Sequence, residues 1–385
     1  MQPEIKFQSP GALAAKRRAI VIYACDIVIK ESFPKKLSLQ PRFDEGYLGK
    51  TLSSIFQARS IEIETALLPG DASTRRYFRV NFRKGTGESE PCSVIVMQLE
   101  EPAPGKDNDF TLLSRFLHSL ELPVPELYFY DPSRGLIFLE DCGDVTLENR
   151  VMDSASEDVK TYYRKAVELL ASMQTRATRN IRPDCPAYHL KFDVEKLMFE
   201  FDFMLEHFVD GTRKSTSSKS GHRGARVLFQ AICEILAVQK PRFTHRDYHS
   251  RNLMVHAGKL FVLDFQDARM GPCQYDLASL LRDSYFELEE SFVGEMIKLF
   301  IDIKQDQEGD VINAEHFREI FDLMSIQRNL KAVGTFAFQS VVQGNDRYLD
   351  CIPRTLGYVK NTFARHPELK SLQDSLAGII PELEP

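Results

Sequence analysis

The chain carries the run His245-Arg246-Asp247-Tyr248-His249-Ser250-Arg251-Asn252 and, after a short hairpin pattern, Leu263-Asp264-Phe265. The order is H-x-D-x-x-x-x-N, two short strands, then D-F. Transfer of a phosphoryl group to a hydroxyl needs a carboxylate that orients the acceptor, and oxygen ligands that hold magnesium on the phosphates. Asp247 suits the first task. Asn252 and Asp264 suit the second, because the hairpin returns the chain and lets both meet at one phosphate cluster. Asp or Asn alone reads more simply as a turn residue. The ordered set at this spacing selects the catalytic reading. His245 is expected to brace the loop. His249 either donates to a phosphate oxygen or makes a local loop hydrogen bond. Asp276, in Tyr275-Asp276-Leu277-Ala278, opens a helix and reads as an N-cap; a carboxylate there also suits holding the loop backbone.

Twelve positions separate Asp264 from Asp276. A protein kinase places its activation segment and an A-P-E signature in that interval. No room exists for them here, which favours a small-molecule acceptor over a protein. The nucleotide end departs from G-x-G-x-x-G and V-A-I-K. The first turn is Pro69-Gly70-Asp71-Ala72-Ser73-Thr74-Arg75-Arg76, with one glycine, and Met97 stands about where a strand lysine is expected. Another cation must then face the phosphates. Strand alternation places Arg76 with Phe78 and Val80 on the expected inward face. Arg76 is therefore the first candidate and Arg75 the second, against the plainer reading of arginines at a strand edge. Ser73 and neighbouring backbone N–H groups could cradle phosphate oxygens. Ile137-Phe138-Leu139-Glu140-Asp141-Cys142-Gly143 ends the last strand of this region; in kinase-like folds this is the hinge, where backbone groups meet adenine, so Glu140 and Asp141 serve as placement markers.

Of 385 residues, 43% are hydrophobic and 27% charged, with a net charge of −6. That is ordinary globular composition with room for two lobes. It carries no basic bias toward nucleic acid or anionic membrane. No apolar run approaches the roughly 18 residues of a membrane span. The seven cysteines are scattered, with no C-x-x-C pair. Reduced thiols and a cytoplasmic location are expected rather than a zinc site or disulfides. Lys16-Arg17-Arg18 before Ala19 to Cys25 mimics a secretion signal, but Asp26 breaks the run and no small-residue cleavage site follows.

Phe43 to Arg59 has the period of a helix, with Leu48, Leu52, Ile55 and Phe56 on one face. Strands are expected at 61–68, 75–82, 93–99, 126–130 and 135–139, with a helix at 109–120. Beyond Asp144 helices dominate (158–174, 193–208, 225–238 and from 275 on), interrupted by the single strand pair 253–256 and 259–263. Asp210 to Gly224, rich in Gly, Ser and base, reads as a solvated loop. This gives an extension of unknown role at 1–42, a nucleotide-binding N-lobe at 43–141 and a helical C-lobe at 142–385.

These residues resemble the aminoglycoside phosphotransferase and choline kinase superfamily of small-molecule kinases. The resemblance rests on Gly70-Asp71-Ala72-Ser73 with Arg75-Arg76-Tyr77-Phe78-Arg79, on His245 to Met254, and on Asp264-Phe265-Gln266-Asp267-Ala268 with Gly271-Pro272 and Tyr275 to Asp283. Together they look most like the bacterial cell-wall amino-sugar kinases, which phosphorylate N-acetylmuramate and N-acetylglucosamine at the anomeric hydroxyl. That subfamily also lacks the strand lysine. The match spans about 43 to 365 and leaves 1–42 unexplained. It implies an α+β, protein-kinase-like, two-lobed fold, with a small antiparallel sheet in the N-lobe and a mostly helical C-lobe. It also implies ATP as co-substrate, Mg2+, a sugar acceptor and a monomer. Gln266, Asp267, Arg282 and Asp283 become candidates for lining the sugar side, with ordinary ion pairs on a surface helix as the plainer reading. Two alternatives stay open: a kinase for an aminoglycoside, choline or homoserine, and a nucleotide-binding pseudokinase scaffold.

Overall fold

The computed structural model describes residues 40–57, 60–68, 75–85, 91–152, 154–212 and 219–385. The expected strand or extension near the N-terminus and the 69–74 turn with Ser73 lie outside the described residues. Asp44 starts helix α1 (Glu45–Phe56) by accepting the Tyr47 N–H at 2.7 Å. This satisfies one of the donors that a helix start leaves unpaired. Leu48 and Leu52, one turn apart, are buried. They pack on a five-stranded antiparallel sheet of order β1-β2-β3-β5-β4. Its strands are β1 (Ser60–Leu67), β2 (Arg76–Lys84), β3 (Pro91–Gln98), β4 (Leu127–Asp131) and β5 (Leu136–Glu140), with α2 (Asp109–Ser119) between β3 and β4.

Successive side chains alternate across a strand, so the sheet has two faces. Phe78, Val80, Phe82, Val94, Val96 and Phe138 form one core with Leu48 and Leu52. Met97, Ile137 and Leu139 point the other way, into the core that contains Phe110 and Leu113 of α2. Arg76 lies on the α1 side, its guanidinium 5.1 Å from the centre of the Phe78 ring. Phe78 and Val80 share this face, as expected. Their face is inward, but it is covered by α1. Arg75, one residue earlier, lies 6.0 Å from the centre of Phe110. That ring stacks on Phe265, next to Asp264, at 5.0 Å.

The remainder is mostly helical: α3 (Leu147–Met152), α4 (Ser156–Asn180), α5 (Pro186–His189), α6 (Val194–Met204), α7 (Lys219–Ala237), α8 (Gln274–Leu281), α9 (Glu290–Glu308), α10 (Ala314–Val341), α11 (Ile352–Arg365) and α12 (Lys370–Ala377). The hairpin of β7 (Leu253–His256) and β8 (Lys259–Val262) falls where expected. A second pair was not anticipated: β6 (Pro241–Thr244) runs antiparallel to β9 (Arg269–Pro272) and flanks the catalytic run on both sides. Each strand has only four residues, too few to show a period. The loop expected from Asp210 to Gly224 is corrected at its two ends, while residues 213–218 lie outside the described residues. Leu205–Thr212 continues α6 as a π-helix, with Thr212 Oγ1 donating to the His207 carbonyl at 3.2 Å, and α7 begins at Lys219.

The helices α6 and α10 meet closely at one point. A Cβ on Gly334 would lie 2.6 Å from Met204 Cα, so only glycine fits between the two backbones. Gly334→Ala should destabilise the protein by about 1–3 kcal/mol, the cost of overpacking a filled core. Chemical denaturation measures this, and an unchanged midpoint would mean that the helices are free to part.

Candidate active site

The catalytic run leaves β6 and is anchored by a buried carboxylate. Asp276 accepts the backbone N–H of His245 at 2.7 Å and of Arg246 at 2.9 Å. Gln174 Nε2 approaches it at 3.4 Å. The N-cap position of α8 is held by Cys273, so Asp276 sits inside the first turn and its side chain serves the loop rather than its own helix. Burial pushes its carboxyl up, against the lowering pull of His245 and the two N–H bonds.

Holding two successive N–H groups on one carboxylate bends the backbone. Arg246 has φ 86°, and Asp264 has φ 62°. Both lie in the left-handed region that non-glycine residues rarely occupy and that clusters at functional sites. His245 ties the two turns together. Its Nε2 lies 2.8 Å from the Leu263 carbonyl, and its Nδ1 accepts the Asp247 N–H at 3.3 Å. The two bonds fit a neutral ring protonated on Nε2.

Asp247 keeps 23% of its side chain exposed, and its Oδ1 accepts from Lys331 Nζ of α10 at 2.8 Å. Burial alone would raise this carboxyl. The charges of Lys331 and Arg246 outweigh burial and hold it well below the usual carboxylate range. Asn252 donates its amide N–H to the Asp247 carbonyl at 2.9 Å. That bond uses the nitrogen and leaves the amide oxygen for a ligand. The Asn252 carbonyl accepts from Leu263 N at 2.9 Å, which brings Asp264 alongside. Asp264 accepts from Gln266 Nε2 on Oδ1 at 2.7 Å. One amide oxygen and one carboxylate are hard donors that suit Mg2+, an ion usually bound by one or two carboxylates together with phosphates and water. Among the described residues no group of three or more His, Cys, Asp and Glu could hold a metal. The donor set thus fits a metal shared with phosphates rather than caged by protein.

The other expected residues fall in different places. His249 is partly buried and pushed down to about 3, by desolvation first and by the Arg328 charge next, so its ring is neutral. It faces Tyr285 at 5.3 Å between ring centres and lies 3.5 Å from the Asn252 amide, a local contact. Asp267 pairs with Arg246 at 2.8 Å. Arg282 and Asp283 are buried rather than on a surface helix. Arg282 grips Glu290 through two bonds of 2.7 and 2.8 Å. Asp283 accepts from Ser250 N at 2.8 Å and Tyr285 N at 2.9 Å. Their polar atoms serve the scaffold of the loop. Glu140 accepts from Glu126 N at 3.1 Å. Asp141 is gripped by Arg79 at 2.7 and 3.0 Å, and Arg79 also reaches Asp144 at 2.6 Å. These are the side chains' contacts; adenine at a hinge would meet the backbone.

Sequence reasoning missed the charged floor beside Asp247. Glu200 of α6 is buried. Its Oε2 accepts from Gln327 Nε2 at 3.0 Å and faces the Tyr275 hydroxyl at 3.4 Å, while its Oε1 lies 3.8 Å from Lys196 and 3.9 Å from Arg246. Arg328 donates to Ser279 Oγ at 2.9 Å. The signal was present in the sequence. Gln327, Arg328, Asn329, Lys331 and Thr335 interrupt the run Ile326 to Phe338. A separate groove between α6 and α7, lined in part by Met198, Asp202, His222 and Arg226, contains none of these residues.

A sheet-then-helices fold with this loop defines a kinase-like phosphotransferase. The chain belongs to the phosphotransferase enzyme family, whose profile matches residues 64–307, and is a small-molecule kinase by class. It is 29% identical over 338 residues to the N-acetylmuramate/N-acetylglucosamine kinase of Neisseria meningitidis serogroup B, covering 86% of this chain and 95% of the relative. It is 30% identical over 316 residues to the kinase of the same name from Pseudomonas aeruginosa, covering 80% and 86%. Among solved structures it is similar to a putative aminoglycoside phosphotransferase from Ralstonia eutropha, with TM-score 0.55, 12% identity and coverage of 83% and 98%. It is also similar to choline kinase from Cryptosporidium parvum, with TM-score 0.54, 13% identity and coverage of 80% and 91%. At these identities the structures bear on fold alone.

Asp276→Ala should release two buried N–H groups, each costing about 1–3 kcal/mol when left unpaired. The expected result is a lower melting temperature together with loss of turnover. Full turnover in that variant would show that the loop holds its shape without the clamp.

Proposed function

We propose that this protein transfers the γ-phosphoryl group of ATP, with Mg2+, to the anomeric hydroxyl of an amino sugar of the N-acetylmuramate or N-acetylglucosamine type. The observation that carries this reading is the Asp247 carboxylate, held as an anion in the loop of a chain whose curated relatives bear those substrates in their names. In the reaction the acceptor oxygen bonds to the γ-phosphorus as the bond from phosphorus to the departing ADP oxygen breaks. The hydroxyl proton passes to Asp247, which needs alignment more than strong basicity. Asn252 and Asp264 would hold the metal, which neutralises phosphate charge when bound.

Residues 43–141 would hold the nucleotide, with the backbone at Glu140 and Asp141 against adenine. Residues 142–385 would hold the acceptor, with Gln266 and Asp267 near it; Arg282 and Asp283 are left out because the scaffold engages them. Arg75 becomes the first candidate for the phosphate-facing cation and Arg76 the second, on the strength of the Phe110 and Phe265 contacts. Ser73 is kept as a phosphate-cradling residue. His245, His249 and Asp276 support the loop. No described helix is long and apolar enough to cross a membrane. We place the protein in the cytoplasm, a reading supported by six free cysteines among the described residues, and we propose that it acts as a monomer.

The test is a panel of ATP and Mg2+ with N-acetylmuramate, N-acetylglucosamine, choline, homoserine and kanamycin. Turnover is expected on the amino sugars; turnover confined to another acceptor would replace the substrate, and ATP binding with no turnover would favour a scaffold. Asp247→Asn should lose transfer by orders of magnitude while still binding nucleotide. Arg75→Ala should raise the KM for ATP by roughly tenfold, the worth of one charge-assisted hydrogen bond, and Arg76→Ala should raise it less. The reverse order would return the phosphate role to Arg76.

A further inference from the structure

We propose that Lys331 is the positioning residue for Asp247: it fixes the carboxylate through Oδ1 and thereby leaves Oδ2 for the acceptor hydroxyl. The inference rests on the phosphoryl-transfer reading above and names a residue that the catalytic run does not contain.

A carboxylate has two equivalent oxygens and can turn about its last side-chain bond. A loop that supports only its backbone leaves that rotation open. Asp247 is in this position. Its N–H goes to His245 and its carbonyl to Asn252. Among the described residues Lys331 alone bonds to its carboxylate, with Nζ 2.8 Å from Oδ1. The pair is largely shielded, with 13% of the lysine side chain and 23% of the aspartate side chain exposed. Shielding strengthens a charge-assisted hydrogen bond, and removing either partner leaves a costly unpaired charge.

Lys331 is itself held in place. Gln327, one turn earlier on the same face of α10, bonds to buried Glu200 on α6. The close approach of Gly334 to Met204 fixes the spacing of the two helices one turn further on. The groups around the pair come from four elements. Arg246, His245 and His249 belong to the loop, Arg328 to α10, Glu200 and Lys196 to α6, and Tyr275 to α8. Arg246 is directed to Asp267 at 2.8 Å and to Glu200 at 3.9 Å. His249 turns toward Asn252 and Tyr285. The cation for the Asp247 carboxylate therefore comes from α10, 84 positions downstream.

During transfer the proton leaves the acceptor oxygen for Oδ2 as the new O–P bond forms and the ADP oxygen departs with its electron pair. Lys331 keeps its protons throughout. Its ammonium holds the acceptor geometry and offsets the repulsion between the carboxylate and the incoming γ-phosphate.

The experiment uses the full chain and whichever acceptor the wild type turns over, so a wrong sugar leaves the test intact. A wild type inactive on every acceptor defeats the parent reading and this one with it. Lys331→Met is expected to lower kcat by about 10²-fold, the scale of a misplaced reacting group, with KM for ATP unchanged and the protein still folded at the assay temperature, its melting temperature lowered by the unpaired charge. Lys331→Arg should fall between the two, because its planar fork cannot reproduce one point contact. Ethylammonium added to Lys331→Ala should restore rate saturably and should do nothing for Asp247→Asn. A near-wild-type kcat in Lys331→Met overturns the proposal. So does a loss that tracks a lowered melting temperature and resists the amine, which marks a structural role. Should the neutral variants fail to fold, Lys331→Arg decides: wild-type kcat there overturns the proposal, and a lowered kcat at unchanged KM for ATP supports it.

Discussion

The buried carboxylate of Asp276 holds two successive backbone N–H groups, and the geometry of the site follows from that bond pair. A helix side chain, rigid because α8 is buried along its length, sets the position of His245 and Arg246. Arg246 is then forced to positive φ, and the next residue, Asp247, is turned outward at a fixed angle. His245 passes the constraint on to Leu263, and the Asn252 carbonyl passes it to the same residue from the other side. Asn252, Asp264 and Asp247 are thus parts of one hydrogen-bonded frame. Such a frame is sensitive to any unpaired member, since each buried donor left without a partner costs its full desolvation.

Charge is balanced across helices rather than within the loop. Asp247 and Glu200 are the carboxylates, and Lys331, Arg246 and Lys196 are the cations that face them. Burial disfavours both anions, yet both stay below the usual carboxylate range, Asp247 chiefly through Lys331 and Glu200 chiefly through Lys196. With His249 neutral, Arg246 is the loop's own charge toward these carboxylates, and it is shared with Asp267 and Glu200. This places weight on α6 and α10, which are held together where Gly334 lets the backbones touch.

The sequence made the catalytic run, the hairpin after it and the sheet-then-helices order legible, because each has a local cause: fixed spacing, alternation or helical period. Asp276 was legible as a loop anchor, and the cap reading failed because Cys273 takes the cap position. What stayed hidden depends on contacts remote in the chain. The parity of Arg76 was read correctly, but which face α1 would cover could not be known from the strand alone. Arg282 and Asp283 looked like surface polar residues because nothing local tells a buried ion pair from an exposed one. Lys331 lies in a helix whose apolar period hides how few of its polar residues face solvent. The pairing of β6 with β9 joins two four-residue strands that carry no periodic signal.

The most direct measurement is a crystal structure of the full chain with a non-hydrolysable ATP analogue, Mg2+ and the amino sugar. The expected result places the anomeric oxygen within hydrogen-bond reach of Asp247 Oδ2, with Lys331 still on Oδ1 and the metal between Asn252 and Asp264. A sugar bound elsewhere, or a different hydroxyl facing Asp247, would contradict the assignment of this loop to anomeric phosphorylation.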